Sequence, residues 1–285
     1  FHAASSQISL ILLEGLTFPE GPRWRSGYLW FSDFYSNEVI QVDSAGKRRT
    51  VVAVPEQPSG LGWTRDGQLL VVSMRDQRVL RLEGRLLMEH ASLSEVSTYW
   101  CNDMVVDQHG GAYVGNFGFN RRAGEQACPT TLARISPDGT SSIAADGLWF
   151  PNGMVINPAG DMLVVAETFA HRLTAFDRAP DGSLSNRRTF FEDSQMYPDG
   201  ICLDVEGAIW VADPHNNEVI RILRGGNIQE RISLGDRGAY ACTLGGSDGR
   251  TLYICTNTGS GPENADNRAG KIEFTRVVVP GSGSP

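Results

Sequence analysis

Two stretches decide the fold: PNGMVINPAGDMLVVAE at residues 151–167 and PDGICLDVEGAIWVAD at residues 198–213. Each has a small or polar start, a short apolar strand, a turn and a second strand. Gly207 in the second turn can adopt the left-handed backbone conformation that a tight hairpin requires. Four further stretches align with these two: residues 19–33, 58–74, 101–117 and 241–257.

The six stretches recur at a spacing that is typical of a propeller. The steps are 39, 43, 50, 47 and 43 residues, counted between the equivalent positions Gly21, Gly60, Asp103, Gly153, Gly200 and Thr243. Strand-rich repeats of about 40–50 residues indicate blades around a central channel. A second hairpin turn follows in most repeats, as at Asp138-Gly139, which gives four strands per repeat. The sequence therefore predicts an all-β fold, a six-bladed β-propeller, as a single domain over residues 1–285.

The two ends of the repeat region predict how the ring closes. Residues 8–13 form a strand pattern without a hairpin partner, whereas the last repeat has room for only three strands, ending at residues 271–279. We expect ring closure by the N-terminal strand, which becomes the outer strand of the last blade. Such closure removes an open sheet edge that would otherwise invite aggregation.

Composition restricts the function classes. The net charge is −8 with both signs interspersed, which disfavours a nucleic-acid partner. No apolar run reaches the roughly 18 residues of a membrane span, and residues 1–10 lack the pattern of an intact signal peptide. Five cysteines without a CxxC pair, and no N-x-S/T sequon, favour a reducing compartment. We expect a cytoplasmic protein with no membrane contact and no obligate protein partner.

The residue before each equivalent position repeats around the channel, and this ring is rich in oxygen donors. Like charges that converge on a narrow channel repel, so carboxylates there favour a bound cation. One divalent ion held by Glu20, Asp199 and the amide oxygen of Asn152 would neutralise both charges. All-oxygen ligation favours Ca²⁺ before Mg²⁺ or Mn²⁺, and Zn²⁺ also accepts carboxylates. The alternative is a ring that only hydrogen-bonds a column of water. The six ring residues are Glu20, Ser59, Asn102, Asn152, Asp199 and Cys242.

The chain resembles the regucalcin, gluconolactonase and luciferin-regenerating enzyme family from Leu16 to Glu273, through motifs that occur one per blade. Those motifs are FPEGPRW, CNDMVVD, PNGMVINPAGDMLVVAET and YPDGICLDVEGAIWVAD. The resemblance implies a six-bladed propeller lactonase in which Glu20, Asn152 and Asp199 hold a catalytic divalent metal. It also implies that Asn102 positions substrate or water beside the metal.

One position departs from the sugar-lactone members of that family. Members that resemble regucalcin carry an arginine two residues before the asparagine of the ND motif, where it grips substrate hydroxyls. Trp100 stands there in this chain, which disfavours a plain aldonolactone. Aromatic residues just ahead of the other ring positions predict a collar for an apolar or aromatic part of the substrate, with inter-blade packing as the alternative. The collar comprises Phe18, Trp100, Phe150, Tyr197 and Tyr240.

Three further features lie near the predicted mouth of the channel. Residues 116–130 form a long insertion in the third repeat, which is either a lid or a loose loop. His171 and His215 occupy matching loops, where surface exposure is the alternative to a catalytic role. Cys242 has no evident base partner, so we expect a packed thiol.

These patterns predict metal-assisted hydrolysis of a cyclic ester, a small-molecule lactone or ester. A metal-bound carboxylate can accept a proton from water in place, so Asp199 is the predicted general base, and Asn102 would orient the carbonyl or the water. Two alternatives stay open. One is phosphotriester hydrolysis at the same metal site, and the other is a non-catalytic propeller that binds calcium or docks a protein.

Overall fold

Six four-stranded antiparallel sheets make up nearly all the regular structure of residues 8–283, the part of the chain that the computed structural model describes. Blades 1 and 2 contain β2 (Pro19–Arg25), β3 (Tyr28–Asp33), β4 (Glu38–Val42), β5 (Arg48–Ala53), β6 (Pro58–Trp63), β7 (Leu69–Ser73), β8 (Arg78–Glu83) and β9 (Leu86–Ser92). Blades 3 and 4 contain β10 (Cys101–Val106), β11 (Ala112–Asn116), β12 (Thr130–Ile135), β13 (Ser141–Leu148), β14 (Pro151–Ile156), β15 (Met162–Glu167), β16 (Arg172–Arg178) and β17 (Leu184–Glu192).

Blade 5 contains β18 (Ile201–Leu203), β19 (Ile209–Asp213), β20 (Glu218–Ile222) and β21 (Ile228–Ser233), and blade 6 contains β22 (Gly238–Gly245), β23 (Thr251–Asn257), β24 (Gly270–Arg276) and β1 (Leu10–Leu16). Short 3₁₀ helices lie at Arg121–Ala123, Thr168–Ala170 and Pro262–Asn267. The six-bladed propeller predicted from the turn spacing is confirmed.

The ring closes through the N-terminal strand, as the sequence predicts. β1 pairs antiparallel with β24, with Leu10 opposite Phe274 and Leu16 opposite Gly270. The strand bounds differ from the expected residues 8–13 and 271–279 by a few positions at each end. Because β1 is the outer strand beside β24, the first and last segments of the ring belong to one sheet.

The inner strands of neighbouring blades approach so closely that glycine is required between them. A Cβ atom on Gly153 in β14 would lie 2.6 Å from the amide nitrogen of Ile201 and 2.8 Å from the Cα of Gly200. Contacts below about 3 Å cannot be relieved when both sides are backbone. Glycines follow four of the ring positions, those of blades 1, 2, 4 and 5, and let the inner strands meet, and the side chains that precede these glycines converge in the channel.

Blade 6 corrects one register predicted from the sequence. The amide of Gly153 donates to the carbonyl of Asp199 at 3.1 Å, and the amide of Gly200 donates in the same way to the carbonyl of Tyr240 at 2.9 Å. Tyr240, not Cys242, therefore takes the ring position in blade 6. The predicted equivalence of Thr243 was wrong by two residues.

The cause of this error is local to blade 6. Its inner strand contains a register shift between Ala239 and Ala241, and the turn glycine Gly249 follows Ala241 by eight positions, whereas Gly207 follows Gly200 by seven. An alignment anchored on the turn glycine is therefore displaced. Cys242 instead packs between blades 5 and 6, with its Sγ 3.8 Å from the Sγ of Cys202. The expected packed thiol is found at this position.

Features that bear on location are limited. Within residues 8–283, no helix is long and apolar enough to cross a membrane. All five cysteines are free thiols, and four of them are buried. Residues 1–7, which belong to the segment where no signal peptide is expected, lie outside the described residues. A cytoplasmic location stays a prediction.

Candidate functional site

Hydrogen bonds link the polar ring residues of blades 2, 3 and 4 across the channel mouth. Ser59 Oγ donates to Asn102 Oδ1 at 3.1 Å, and Asn102 Nδ2 donates to Asn152 Oδ1 at 3.2 Å. Asn152 Nδ2 donates in turn to the hydroxyl of Thr168, which donates to the carbonyl of Pro198 at 2.7 Å. These bonds orient both amide groups, so the oxygen of Asn152 lies on the side of Asn102 rather than on the side of Thr168.

Asp199 differs from the other buried carboxylates in having an oxygen without a partner. Its Oδ1 is buried and accepts no hydrogen bond within the described residues. Asp213, in contrast, accepts from the amides of Tyr197, His215 and Asn216. A buried polar atom without a partner costs about 1–3 kcal/mol, and more when it is charged. Asp199 Oδ1 can therefore accept a hydrogen bond or bind a cation without displacing another contact.

The electrostatics of the ring disfavour two ionised carboxylates. Burial, followed by the charges of Asp199 and Asp103, raises the pKa of Glu20 well above its usual value. Burial, followed by Asp103, Asp213 and Cys242, raises the pKa of Asp199 in the same direction. Only 7% of Glu20 and 9% of Asp199 is exposed, so solvent screens this repulsion poorly.

A buried ion pair beneath the ring was not predicted from the sequence. Arg23 Nη2 donates to Asp103 Oδ1 at 2.8 Å, and the same guanidinium donates to the carbonyls of Leu61 and Met104. Arg23 and Asp103 are both at most 6% exposed. The pair joins blades 1, 2 and 3 and compensates the charge of Asp103. Within residues 8–283, neither Glu20 nor Asp199 forms an ion pair of its own, and the charge of Arg23 offsets only part of the rise in the pKa of Glu20.

The donor set fits a hard divalent cation. Glu20 and Asp199 supply two carboxylates and Asn152 an amide oxygen, and one carboxylate oxygen is buried without a hydrogen-bond donor. Oxygen ligands of this type are those that Ca²⁺ and Mg²⁺ prefer. A metal-binding cluster of three or more His, Cys, Asp or Glu side chains does not occur in residues 8–283, and this set of two carboxylates and one amide is of a different kind.

The predicted aromatic collar divides into separate groups. Phe18 is only 4% exposed and packs against Phe34 and Tyr240, with ring centroids 5.1 and 4.7 Å away. The packing alternative therefore holds for Phe18, and any effect on substrate is through its neighbours. Trp100 is half-buried, stacked on Tyr99 at 5.4 Å.

Two further collar residues, Phe150 and Tyr197, lie on blades 4 and 5. Phe150 has a left-handed backbone (φ 55°), a strained conformation for a bulky residue, and it packs against Phe117 and Phe169 at 5.0 and 4.7 Å. Tyr197 lies between His171 and His215, with centroid distances of 4.7 and 4.3 Å. These contacts leave Phe150 and Tyr197 half-buried at the mouth.

The insertion in blade 3 crosses the mouth of the channel. Arg122 at its tip donates to the hydroxyl of Tyr35 in blade 1 and to the carbonyl of Ser260 in blade 6, both at 3.3 Å. It also lies 3.6 Å from Glu263 in an exposed ion pair. Exposed pairs of this kind contribute about 0–1 kcal/mol, so the segment is held mainly by the buried Phe119, which packs against Phe150 and Phe169. This geometry favours the lid over the loose loop.

The two histidines contact the collar rather than the ring. His171 Nδ1 donates to the carbonyl of Met196 at 2.8 Å, and His171 is half-buried. His215 is exposed. Both sit on Tyr197, and neither has a hydrogen bond to Asp199 or Glu20 in the described part of the chain.

A cavity of about 890 Å³ opens at the opposite end of the channel. It is lined by Arg23 and Cys202 among others, but by none of Glu20, Asn152 and Asp199. The ion pair of Arg23 and Asp103 thus lies between this cavity and the ring. The convergent polar groups mark the lidded end as the candidate site.

The comparisons with known proteins agree with this fold. The model of the SMP-30/Gluconolactonase/LRE-like region matches residues 18–258, and the chain belongs to that family. A 6-deoxy-6-sulfogluconolactonase of Pseudomonas putida is 28% identical over 278 residues, covering 93% of both chains. A pentonolactonase of Haloferax volcanii is 26% identical, covering 93% of this chain and 92% of that one.

A solved structure supports the fold independently. The calcium-binding protein regucalcin from Agrobacterium tumefaciens matches with a TM-score of 0.82 at 19% identity, covering 98% of this chain and 97% of that one. At 19% identity, this similarity shows that the two proteins share the propeller fold.

The repulsion between the buried carboxylates of Glu20 and Asp199 predicts that Asp199→Asn stabilises the fold. The pKa of Asp199 is raised in the folded protein, whereas in the unfolded chain it is about 4. As pH rises above about 4, the free energy of unfolding therefore falls, and it stops falling once Asp199 is also ionised in the folded protein. In chelator-treated protein, Asp199→Asn should therefore raise the Tm at pH 8 and raise it less at pH 5. Calorimetry at the two pH values measures this.

The matched control is Asp213→Asn, which removes a carboxylate whose hydrogen bonds are satisfied and should lower the Tm at both pH values. Added Ca²⁺ should raise the Tm of the wild type and have little effect on Asp199→Asn. A lower Tm for Asp199→Asn at pH 8 would contradict the electrostatic account of the ring.

Proposed function

We propose that the protein is a metal-dependent hydrolase that opens a lactone with an apolar or aromatic part. The observation that carries the proposal is the unpartnered, buried carboxylate oxygen of Asp199, close to Glu20 and within the same ring as Asn152. Family membership supports it, because two relatives are named as lactonases.

One divalent ion is the proposed cofactor, with Ca²⁺ first and Mg²⁺, Mn²⁺ or Zn²⁺ as alternatives. When bound, such an ion polarises a carbonyl oxygen and lowers the pKa of water beside it. Glu20, Asn152 and Asp199 would hold it. The name of the related calcium-binding regucalcin supports this choice of ion.

The residues of the chain divide the chemistry between them. Asp199 is the proposed general base, because its buried carboxylate has a raised pKa and a free oxygen to accept the proton of the attacking water. Asn102 is fixed by Ser59 and Asn152, and the second hydrogen of its amide is available to orient water or the lactone carbonyl. The insertion held by Arg122 excludes bulk water while these groups act.

Specificity is proposed to come from the half-buried aromatic side chains at the mouth. Trp100 occupies the position two residues before Asn102, and Phe150 and Tyr197 lie on the neighbouring blades 4 and 5. Their faces suit an alkyl or aryl substituent, and the guanidinium of Arg75 lies over the ring of Trp100, 5.3 Å from its centroid.

A panel of lactones tests the proposed function. Alkyl- and aryl-substituted lactones should be hydrolysed with a higher kcat/KM than gluconolactone, and a chelator should abolish the activity. Trp100→Arg should narrow the difference between the two substrate classes, because it restores a donor for hydroxyls. A pH-indicator assay that includes phosphotriesters checks this, and a wild-type preference of tenfold or more for gluconolactone would contradict the role of the rim.

Three ring variants test the division of labour. Asp199→Asn should lower kcat by about 10²–10⁴ even at saturating metal, because the proton acceptor is lost. Asn102→Ala should retain metal but lose rate, whereas Glu20→Gln should weaken metal binding and recover part of its activity with excess metal. Steady-state kinetics with metal titration separate these effects.

One result would reassign the base. If Asp199→Asn regains full turnover with added metal, the proton must go elsewhere, and His171 and His215 are the next residues to test. Parallel measurement of bound metal distinguishes loss of the ion from loss of the base.

A further inference from the structure

The backbone of Tyr240 lies at the same depth in the channel as that of the polar ring residues. The amide of Gly200 donates to its carbonyl, as the amide of Gly153 donates to the carbonyl of Asp199. The backbone therefore places Tyr240 in blade 6 where Asp199 stands in blade 5. A phenol at this position is the sixth member of a ring whose other members are Glu20, Ser59, Asn102, Asn152 and Asp199.

The phenol ring packs closely against Phe18 and Gly238. Phe18 contacts it edge to face, with centroids 4.7 Å apart and planes at 68°. A Cβ on Gly238 would lie 2.9 Å from Tyr240 Cε2 and 3.1 Å from its Oη. The ring thus occupies space that only glycine leaves free. Its hydroxyl is oriented by packing rather than by a hydrogen bond.

The hydroxyl of Tyr240 has no hydrogen-bond partner within residues 8–283. Two other tyrosines differ in this respect, since Tyr35 donates to the carbonyl of Ser260 and Tyr113 to that of Gly182, each at 2.5 Å. Burial, then the charges of Asp199 and Glu20, raises the pKa of Tyr240 to about 12. The group therefore stays protonated at neutral pH, close to the ring carboxylates, with its hydrogen available.

We propose that Tyr240 donates a hydrogen bond to the ring oxygen of the lactone, the atom that leaves when the ester bond breaks. The inference rests on the proposed lactonase function and adds a residue to it. Water adds to the carbonyl carbon, and Asp199 takes the proton of that water. The bond between carbon and ring oxygen then breaks with its electron pair on the oxygen, where Tyr240 stabilises the charge. Asp199 returns its proton to this oxygen, so no further reactant is needed.

Leaving-group dependence tests this role. δ-Valerolactone releases an alkoxide, which needs a hydrogen-bond donor, whereas dihydrocoumarin releases a phenolate, which is far more stable without one. Tyr240→Phe should lower kcat on δ-valerolactone by about 10²-fold, as for loss of a single donor to a developing oxyanion. It should lower kcat on dihydrocoumarin less than threefold. Metal affinity, measured by calorimetric titration with Ca²⁺, should be unchanged.

Tyr253→Phe is the matched control, because Tyr253 is a buried tyrosine of the same blade that packs on Trp24 in the sheet core. It should leave the ratio of the two kcat values unchanged. The ratio is taken within one protein sample, so it does not depend on the fraction that folds. A partly folded Tyr240→Phe preparation therefore still gives a valid result.

The other outcomes are distinct. An equal loss on both lactones, or no loss on either, would overturn the role of Tyr240 while leaving the lactonase function in place. A wild type that hydrolyses neither lactone would overturn the proposed function on these esters, and the inference with it.

Discussion

The site depends on one constraint: two carboxylates, Glu20 and Asp199, are held close together where water cannot screen them. The fold compensates the third nearby carboxylate, Asp103, with the buried guanidinium of Arg23, and in the described part of the chain neither of the other two forms an ion pair. An arrangement of this kind costs stability, since buried charges that lack partners are unfavourable. Such a cost persists at sites where a ligand repays it, and a divalent cation is the ligand that this geometry suits.

The surrounding structure fixes the positions of the ring side chains and shields them from solvent. Glycines such as Gly153 and Gly200 let the inner strands meet, and the hydrogen bonds from Ser59 to Thr168 orient the amides between them. Aromatic packing against Phe150 supports the rim. Arg122 adds weak, exposed contacts to the insertion in blade 3, beside the buried packing of Phe119 against Phe150 and Phe169.

Much of this architecture could be predicted from local sequence, because glycines mark the hairpin turns. The blade count, the ring closure and the convergence of Asn102, Asn152 and Asp199 all follow from turn spacing. Blade 6 could not be aligned in this way, since the register shift near Tyr240 moves the ring position without changing the pattern of strands.

Contacts between residues that are far apart in the chain could also not be predicted from the sequence. The pair of Arg23 and Asp103 spans 80 positions, and an arginine in a strand gives no sign of its partner. The only available signal was a charged residue in the inner strand that directly follows the PEGP motif. The burial of Phe18 could not be inferred either, because an aromatic residue ahead of a ring position suits both a rim and a core.

The most direct test of the central claim is anomalous diffraction from crystals soaked in Mn²⁺. The account predicts one strong peak at the lidded end of the channel, within bonding distance of carboxylate oxygens of Glu20 and Asp199 and the amide oxygen of Asn152. A fully soaked crystal with no peak there, or with its peak only in the cavity at the opposite end, would contradict it.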